Sequence, residues 1–205
     1  MKNSGKVLFY GALGNGKKLK VGGGETGNLR TIQLLEKNGY NVIRLYKPYP
    51  VKNIAGYFVY SIRMFFKLFS FFFKLLKSDI KVVHISGFYL HLIYHEFLLV
   101  KIARFLNIPC IYELRGGGVI EAYHKRSFLY RHIFKATVNN ASIILCQGKS
   151  YISFLKELTE VKIYHYPNYI LDSFLENTIN SGRINDPVLK LVYFGRIVPS
   201  KNLDF

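Results

Sequence analysis

The sequence predicts a doubly wound α/β domain, a parallel sheet with helices on both faces, on the strength of three observations. Short apolar runs alternate with helix-length segments along most of the chain, which is the rhythm of strands joined by crossover helices. A glycine-rich stretch, KVGGGETGN, separates the first apolar run from the first helical segment, the place where such sheets meet their ligands. Half of the 205 residues are apolar, enough for one domain with a sizeable core or one domain and the start of another.

The elements follow in order. KVLFYGAL (Lys6 to Leu13) is the first strand. A helix is expected from Asn28 to Asn38, with Leu29, Ile32 and Leu35 on one face and Gly39 as its stop signal. NVIRLY is the next strand, and the aromatic, basic stretch from Asn53 to Ser78 follows it. Then come the strand IKVVHIS, a helix from about Tyr89 to Leu106, the strand IPCIYEL, a helix around Lys125 to Asn139, the strand SIILCQG, a short helix from Tyr151, and the strand KIYHYPN. Residues 1–176 therefore read as one Rossmann-like domain. ENTINSGRINDP is polar, holds Gly182 and Pro187, and lacks periodicity, so residues 177–188 read as a linker. Behind it LKLVYFGRIVPSKNLDF is strand, turn and the first residues of a helix, so residues 189–205 read as the opening of a second Rossmann-like domain, incomplete in this chain.

Lys+Arg 29 against Asp+Glu 12 gives a formal charge of +17, which draws the protein toward an anionic partner: a nucleic acid, a nucleotide or an anionic membrane face. Cys110 and Cys146 sit inside apolar strand-like runs without further ligands at zinc spacing and read as reduced core residues. No metal site is expected. The N-terminus MKNSGKVLFYGALGNG meets glycines early and has no long apolar stretch, so it reads as a first strand rather than a secretory signal, and a cytoplasmic location is expected.

Three kinds of glycine loop fit the region. Gly11 to Lys18, GALGNGKK, satisfies G-x-x-x-x-G-K but has Lys18 where a P-loop needs Ser or Thr for magnesium. Gly22, Gly24 and Gly27 fit G-x-G-x-x-G, but too much loop separates them from the first strand, and the second strand ends in Tyr46 and Lys47 rather than in an acid for a ribose. The third possibility is a loop facing a sugar substrate. Gly22, Gly23 and Gly24 with Glu25 and Thr26 would let backbone approach a ligand closely, and the amides opening the helix would supply donors to an anion.

That third pattern resembles the start of a GT-B glycosyltransferase of family 4: strand, loop, GG-x-E, a helix ending in NGY and a second strand. The similarity extends to Pro167 and Asn168 of HYPNYI and to VYFGRIVPSKNLDF, which is similar to the family's G-R-x-x-x-x-K opening of the second domain. The resemblance implies a retaining transfer of a sugar from a nucleotide-diphosphate-sugar, without a metal or other cofactor. It implies that Gly195, Arg196 and Lys201 grip the donor diphosphate, whose negative charge grows as the glycosidic bond breaks. Where many relatives place a histidine after the fourth strand, this chain reads ELRGGG; Glu113, Arg115 and Gly116 are acceptor-side candidates, and structural pairing of Glu113 and Arg115 with other loops is the alternative. No catalytic base is assigned. The family's donor-gripping glutamates lie further along the second domain, so this chain is expected to be truncated and inactive alone.

In NIAGYFVYSIRMFFKLFSFFFKLLKS, Arg63, Lys67, Lys74 and Lys77 fall on one narrow helical stripe, with Phe and Leu over most of the remaining circumference. Arg63 and Lys67 would each cost roughly 2.5–3.5 kcal/mol near mid-bilayer, which argues against a transmembrane span. An interfacial helix, its cations on anionic headgroups, is the membrane reading; a crossover helix packed on the sheet with its basic stripe in water is the other. The expected function is sugar transfer to a lipid-linked glycan in bacterial polysaccharide synthesis, at the inner face of the membrane. Its rivals are a non-catalytic, membrane-associated acceptor-binding or partner domain and a nucleic-acid-binding domain, and no nucleic-acid motif supports the latter.

Overall fold

A computed structural model describes residues 5–14, 23–48, 54–88 and 90–169 of the chain. The chain divides into two units, Met1–Tyr169 and Ile170–Phe205. The expected linker, the start of the second domain, and Gly195, Arg196 and Lys201 with it, lie outside the described residues, as does Gly22.

Six strands form one all-parallel sheet in the first unit: β1 (Lys6–Gly11), β2 (Asn41–Tyr46), β3 (Ile80–Phe88), β4 (Cys110–Arg115), β5 (Ile143–Cys146) and β6 (Ile163–His165). Their order across the sheet is β2-β1-β3-β4-β5-β6. The central strands are buried on both sides, which is why KVLFYG reads as a continuous apolar run instead of an alternation. The helices are α1 (Gly23–Lys37), α2 (Ile54–Lys77), α3 (Ile93–Phe105), α4 (Val119–Lys125), α5 (Phe128–Asn140) and α6 (Lys149–Lys156). The fold is thus the Rossmann-like α/β arrangement that the alternation predicts.

The two faces of the sheet are covered unequally. Alternate residues Leu8, Tyr10, Val83, Ile85, Tyr112, Leu114, Ile144 and Cys146 join one large core with α2, α3, α5 and α6. On the other face Phe9 packs with Leu13 and with Ile32 of α1, flanked by Leu29 and Leu35. The predicted face of the first helix is therefore the one that packs. Chain direction explains the split: β1 to β2 runs toward one sheet edge and the later crossovers toward the other, and right-handed connections then place their helices on opposite faces. Both cysteines are free and buried, as expected, and burial pushes the Cys110 thiol up to about 12.

Two boundaries differ from expectation. The first helix starts at Gly23, five residues before Asn28, so Gly23 and Gly24 are its first turn and not a loop. Amides in a first turn have no carbonyl to bond within the helix, so glycine weakens it less there than in its middle, and Glu25 supports the turn through the helix dipole. The helix expected around Lys125 to Asn139 is α5, which starts at Phe128 because Ser127 adopts extended backbone and its side chain accepts a hydrogen bond from the Tyr130 amide as N-cap, and a further short helix, α4, precedes it. Gly39 does end α1: at φ +85° it lets its own amide donate to Glu36 O and the Tyr40 amide to Leu35 O.

The aromatic segment is a single 24-residue helix, α2. Tyr60, Met64, Phe71 and Leu75 form its buried stripe, and it packs against α3. Among the described residues, no helix is long and apolar enough to cross a membrane.

Candidate functional site

At the carboxyl ends of the strands, the turn after β1 feeds α1 on one face while that after β3 feeds α3 on the other. Order 2-1-3-4-5 sheets bind ligands at this β1/β3 reversal. Here a pocket of about 510 Å³ opens, lined by Gly23, Gly24, Thr26 and Gly27 of α1, Arg30, Phe88, Arg115, Gly116, Gln147 and residues 166–169. Its volume suits a small-molecule ligand.

The pocket floor is built on the less covered face. Period-two alternation puts Phe9, His84, Ser86, Glu113 and Arg115 on that face, opposite the large core. The His84 ring stacks on Phe9 with centroids 4.6 Å apart. His84 Nε2 lies 2.9 Å from Glu113 Oε2, and Arg115 Nη2 lies 2.6 Å from Glu113 Oε1. Burial pushes the Glu113 carboxyl up, but the hydrogen bond and charge of His84, with Arg115, outweigh it and hold the group below its ordinary value. The short approach of Arg115 is an ion pair off the ideal hydrogen-bond direction, and its Nε has no hydrogen-bond partner although it is buried. Glu113 thus holds one guanidinium nitrogen of an arginine that also lines the pocket.

Two glycines make this possible. A Cβ on Gly27 would collide with Arg115 Nη1, so the arginine passes against bare helix backbone. A Cβ on Gly11 would come within 2.9 Å of Asn28 Nδ2, which donates to Ala12 O at 2.8 Å and ties α1 to the end of β1. Cβ atoms at Gly23 and Gly24, by contrast, would meet nothing within 4 Å among the described residues. The first turn of α1 has its amides at the positive end of the helix dipole.

The HYPN segment closes the opposite wall. Tyr166 OH and Thr31 Oγ1 are 3.2 Å apart, Arg30 Nη1 donates to Tyr169 O at 2.6 Å, and Gln147 Nε2 donates to Asn168 Oδ1 at 2.9 Å. Burial holds the Tyr166 phenol protonated well above its ordinary range. Two arginines and a helix N-terminus face this pocket, and among the described residues lining it there is no Asp or Glu. An anionic ligand is what such a lining stabilises.

Of the residues singled out from sequence, Gly23, Gly24, Thr26, Arg115 and Gly116 converge on the pocket, as do Pro167 and Asn168. Glu25 does not line it, and Glu113 is fully buried beneath it. The structural pairing of Glu113 with Arg115, the alternative noted above, is what the structure has, and it places Arg115 at the pocket as well. Arg63, Lys67, Lys74 and Lys77 are on α2, across the sheet from α1. Sequence reasoning missed His84, Arg30 and Gln147, and it missed Tyr166 and Tyr169 although they flank Pro167 and Asn168 in HYPNYI. Lys47, where a dinucleotide site needs an acid, faces inward to Glu96 at 2.6 Å, and Glu96 also accepts from Tyr112 OH and the Phe88 amide. Among the described residues no group of three or more His, Cys, Asp or Glu is placed to hold a metal ion.

Fold and pocket define the class: a Rossmann-like domain with an anion-suited cleft at its switch point. Searched against known proteins, the chain matches no family model and no curated protein.

Proposed function

We propose that this chain is the acceptor-side domain of a GT-B glycosyltransferase of the family 4 type, moving a sugar from a nucleotide-diphosphate-sugar to a lipid-linked glycan in bacterial polysaccharide synthesis. The observation that carries the reading is the pocket itself: the first turn of α1 and the Pro167–Asn168 segment, two motifs of the resemblance, come together with Arg115 held by Glu113 from ELRGGG, where the chain departs from the family pattern. In this reading Arg115 and the α1 amides stabilise negative charge on the departing diphosphate, the role that the resemblance also gives Arg196 and Lys201. Charge stabilisation by fixed cations needs no metal. The enzyme works in the cytoplasm, peripherally at the inner membrane face where a lipid-linked acceptor is presented, and nucleic acid is not its partner.

A second reading has one observation in its favour. Glu113, buried beneath the pocket, is enclosed by His84 and Arg115 and offers no general base. A non-catalytic acceptor-binding domain would look the same.

Transfer is the test. Because the chain alone is expected to be inactive, it is joined to the donor-binding domain of a family 4 transferase and incubated with labelled nucleotide-sugars and a membrane extract, and label in lipid-linked material is counted, with Arg115→Gln alongside. Transfer that falls about a hundredfold in the variant is expected, the size of losing one preorganised charge-stabilising donor. No transfer from any donor would leave the binding-only reading, provided that nucleoside diphosphates still raise the melting temperature; if they do not, the pocket assignment fails too.

A further inference from the structure

α2 has three faces, and only one packs against the domain. Opposite the buried stripe, Phe58, Ile62, Phe65, Phe66, Phe69, Phe73 and Leu76 form a continuous outward row, with Phe58 at 70 % and Phe66 at 64 % exposure. Half-exposed rings of this number leave roughly 500 Å² of apolar surface, more than scattered surface residues leave. Helical spacing puts Arg63, Lys67, Lys74 and Lys77 together on one flank of that row. On the other flank lies α3, whose Tyr94, Leu98, Lys101 and Phe105 follow i, i+4, i+7, i+11 and share an outward stripe; Phe105 is 79 % exposed. Between the helices a groove of about 510 Å³ runs past Leu68, Leu98, Ile102 and Phe105, with Lys101 and Arg104 at its rim.

We propose that α2 and α3 together form a docking surface for an anionic phospholipid bilayer, and that the groove between them accepts an acyl chain while Lys101 and Arg104 take the lipid phosphate. The proposal rests on the membrane part of the functional reading and not on sugar transfer. Charge complementarity selects the occupant. An apolar row with cations along both flanks matches a bilayer, where acyl chains lie beneath a plane of negative headgroups; a second copy of this chain would bring the same cations against each other. The surface lies on the sheet face away from α1, so lipid contact there leaves the α1 wall of the pocket uncovered.

The chain contains no tryptophan, so one introduced indole reports its own depth. Phe69→Trp on α2, Phe105→Trp on α3 and, as a control on the far face, Leu34→Trp on α1 all replace exposed side chains, and melting curves check that each folds. Each is mixed with vesicles of zwitterionic phospholipid with or without an anionic phospholipid, and with lipids brominated along their acyl chains. No sugar donor is present, so the outcome is independent of whether the protein transfers sugar. Flotation at least tenfold better with anionic vesicles is expected, with bromine quenching of the indoles at 69 and 105 and not at 34. Lys101→Glu with Arg104→Glu should lower binding about tenfold or more. Equal binding to both vesicle types, or none, overturns the surface; quenching at 69 without 105 overturns the groove; self-association through this face in the absence of lipid overturns the occupant.

Discussion

Glu96 and Glu113 are both fully buried, and each meets a cation across 2.6 Å, yet they do opposite things. Glu96 is consumed inside the protein: Lys47, the Tyr112 hydroxyl and the Phe88 amide all donate to it, clamping the ends of β2 and β3 and the middle of β4 to the first turn of α3. Glu113 holds Arg115 by one guanidinium nitrogen, and that arginine also lines a pocket. Burial and pairing are common to both. A paired cation that also borders a cavity is what separates the site from the clamp.

Breaking the clamp gives the largest effect. Glu96→Gln leaves the Lys47 ammonium buried at 8 % exposure without its counter-charge, and a loss of about 3–5 kcal/mol in chemical denaturation is expected. Adding Lys47→Met removes the orphaned charge and should recover a large part of it; a double variant as unstable as the single would mean that Glu96 acts through Tyr112 and Phe88 alone. Arg115→Gln sharpens the contrast from the other side. Its main effect falls on function, with inorganic diphosphate bound about a hundredfold more weakly by calorimetry, and an unchanged affinity would remove Arg115 from the site.

The same contrast marks what the sequence makes legible. The apolar runs announced the strands, because strands buried on both faces must be apolar throughout, and Gly39 announced the end of α1 because a left-handed turn favours glycine. The Glu113–Arg115 end of the site was readable from ELRGGG. Its supports were not: His84 is twenty-nine positions from Glu113 in the chain and meets it only through the β3–β4 register, while Arg30 meets Tyr169 across 139 positions. Helix starts were the weak point. Gly23 and Gly24 look like loop by propensity, and only the placement of α1 against β1 through Asn28 and Ile32 makes them a first turn.

Acid separates Glu113 from its surroundings. Its carboxyl is held below the ordinary value in the folded protein, so the ionised form favours folding. That contribution is complete above the ordinary carboxyl value near 4.5 and fades as pH drops through the lower folded value. Urea denaturation of the native protein and of Glu113→Gln across this range should show the gap between them narrowing as pH falls. Parallel curves would mean that His84 and Arg115 do not hold the carboxylate ionised.

The smallest changes divide two of the three glycines of one helix. Alanine at Gly24 meets nothing among the described residues and removes glycine's backbone entropy, so Gly24→Ala should leave stability unchanged or raise it by up to about 1 kcal/mol. Alanine at Gly27 meets Arg115 Nη1, the far end of a flexible side chain, which can shift at little cost to the fold but not without leaving its place over the pocket. Gly27→Ala should therefore weaken diphosphate binding about tenfold at near-native melting temperature. If a ligand rests against the first turn, Gly24→Ala weakens it as well, despite the steadier helix. A Gly24→Ala protein that is more stable and binds as before would place the ligand on Arg115 alone, away from the amides of α1.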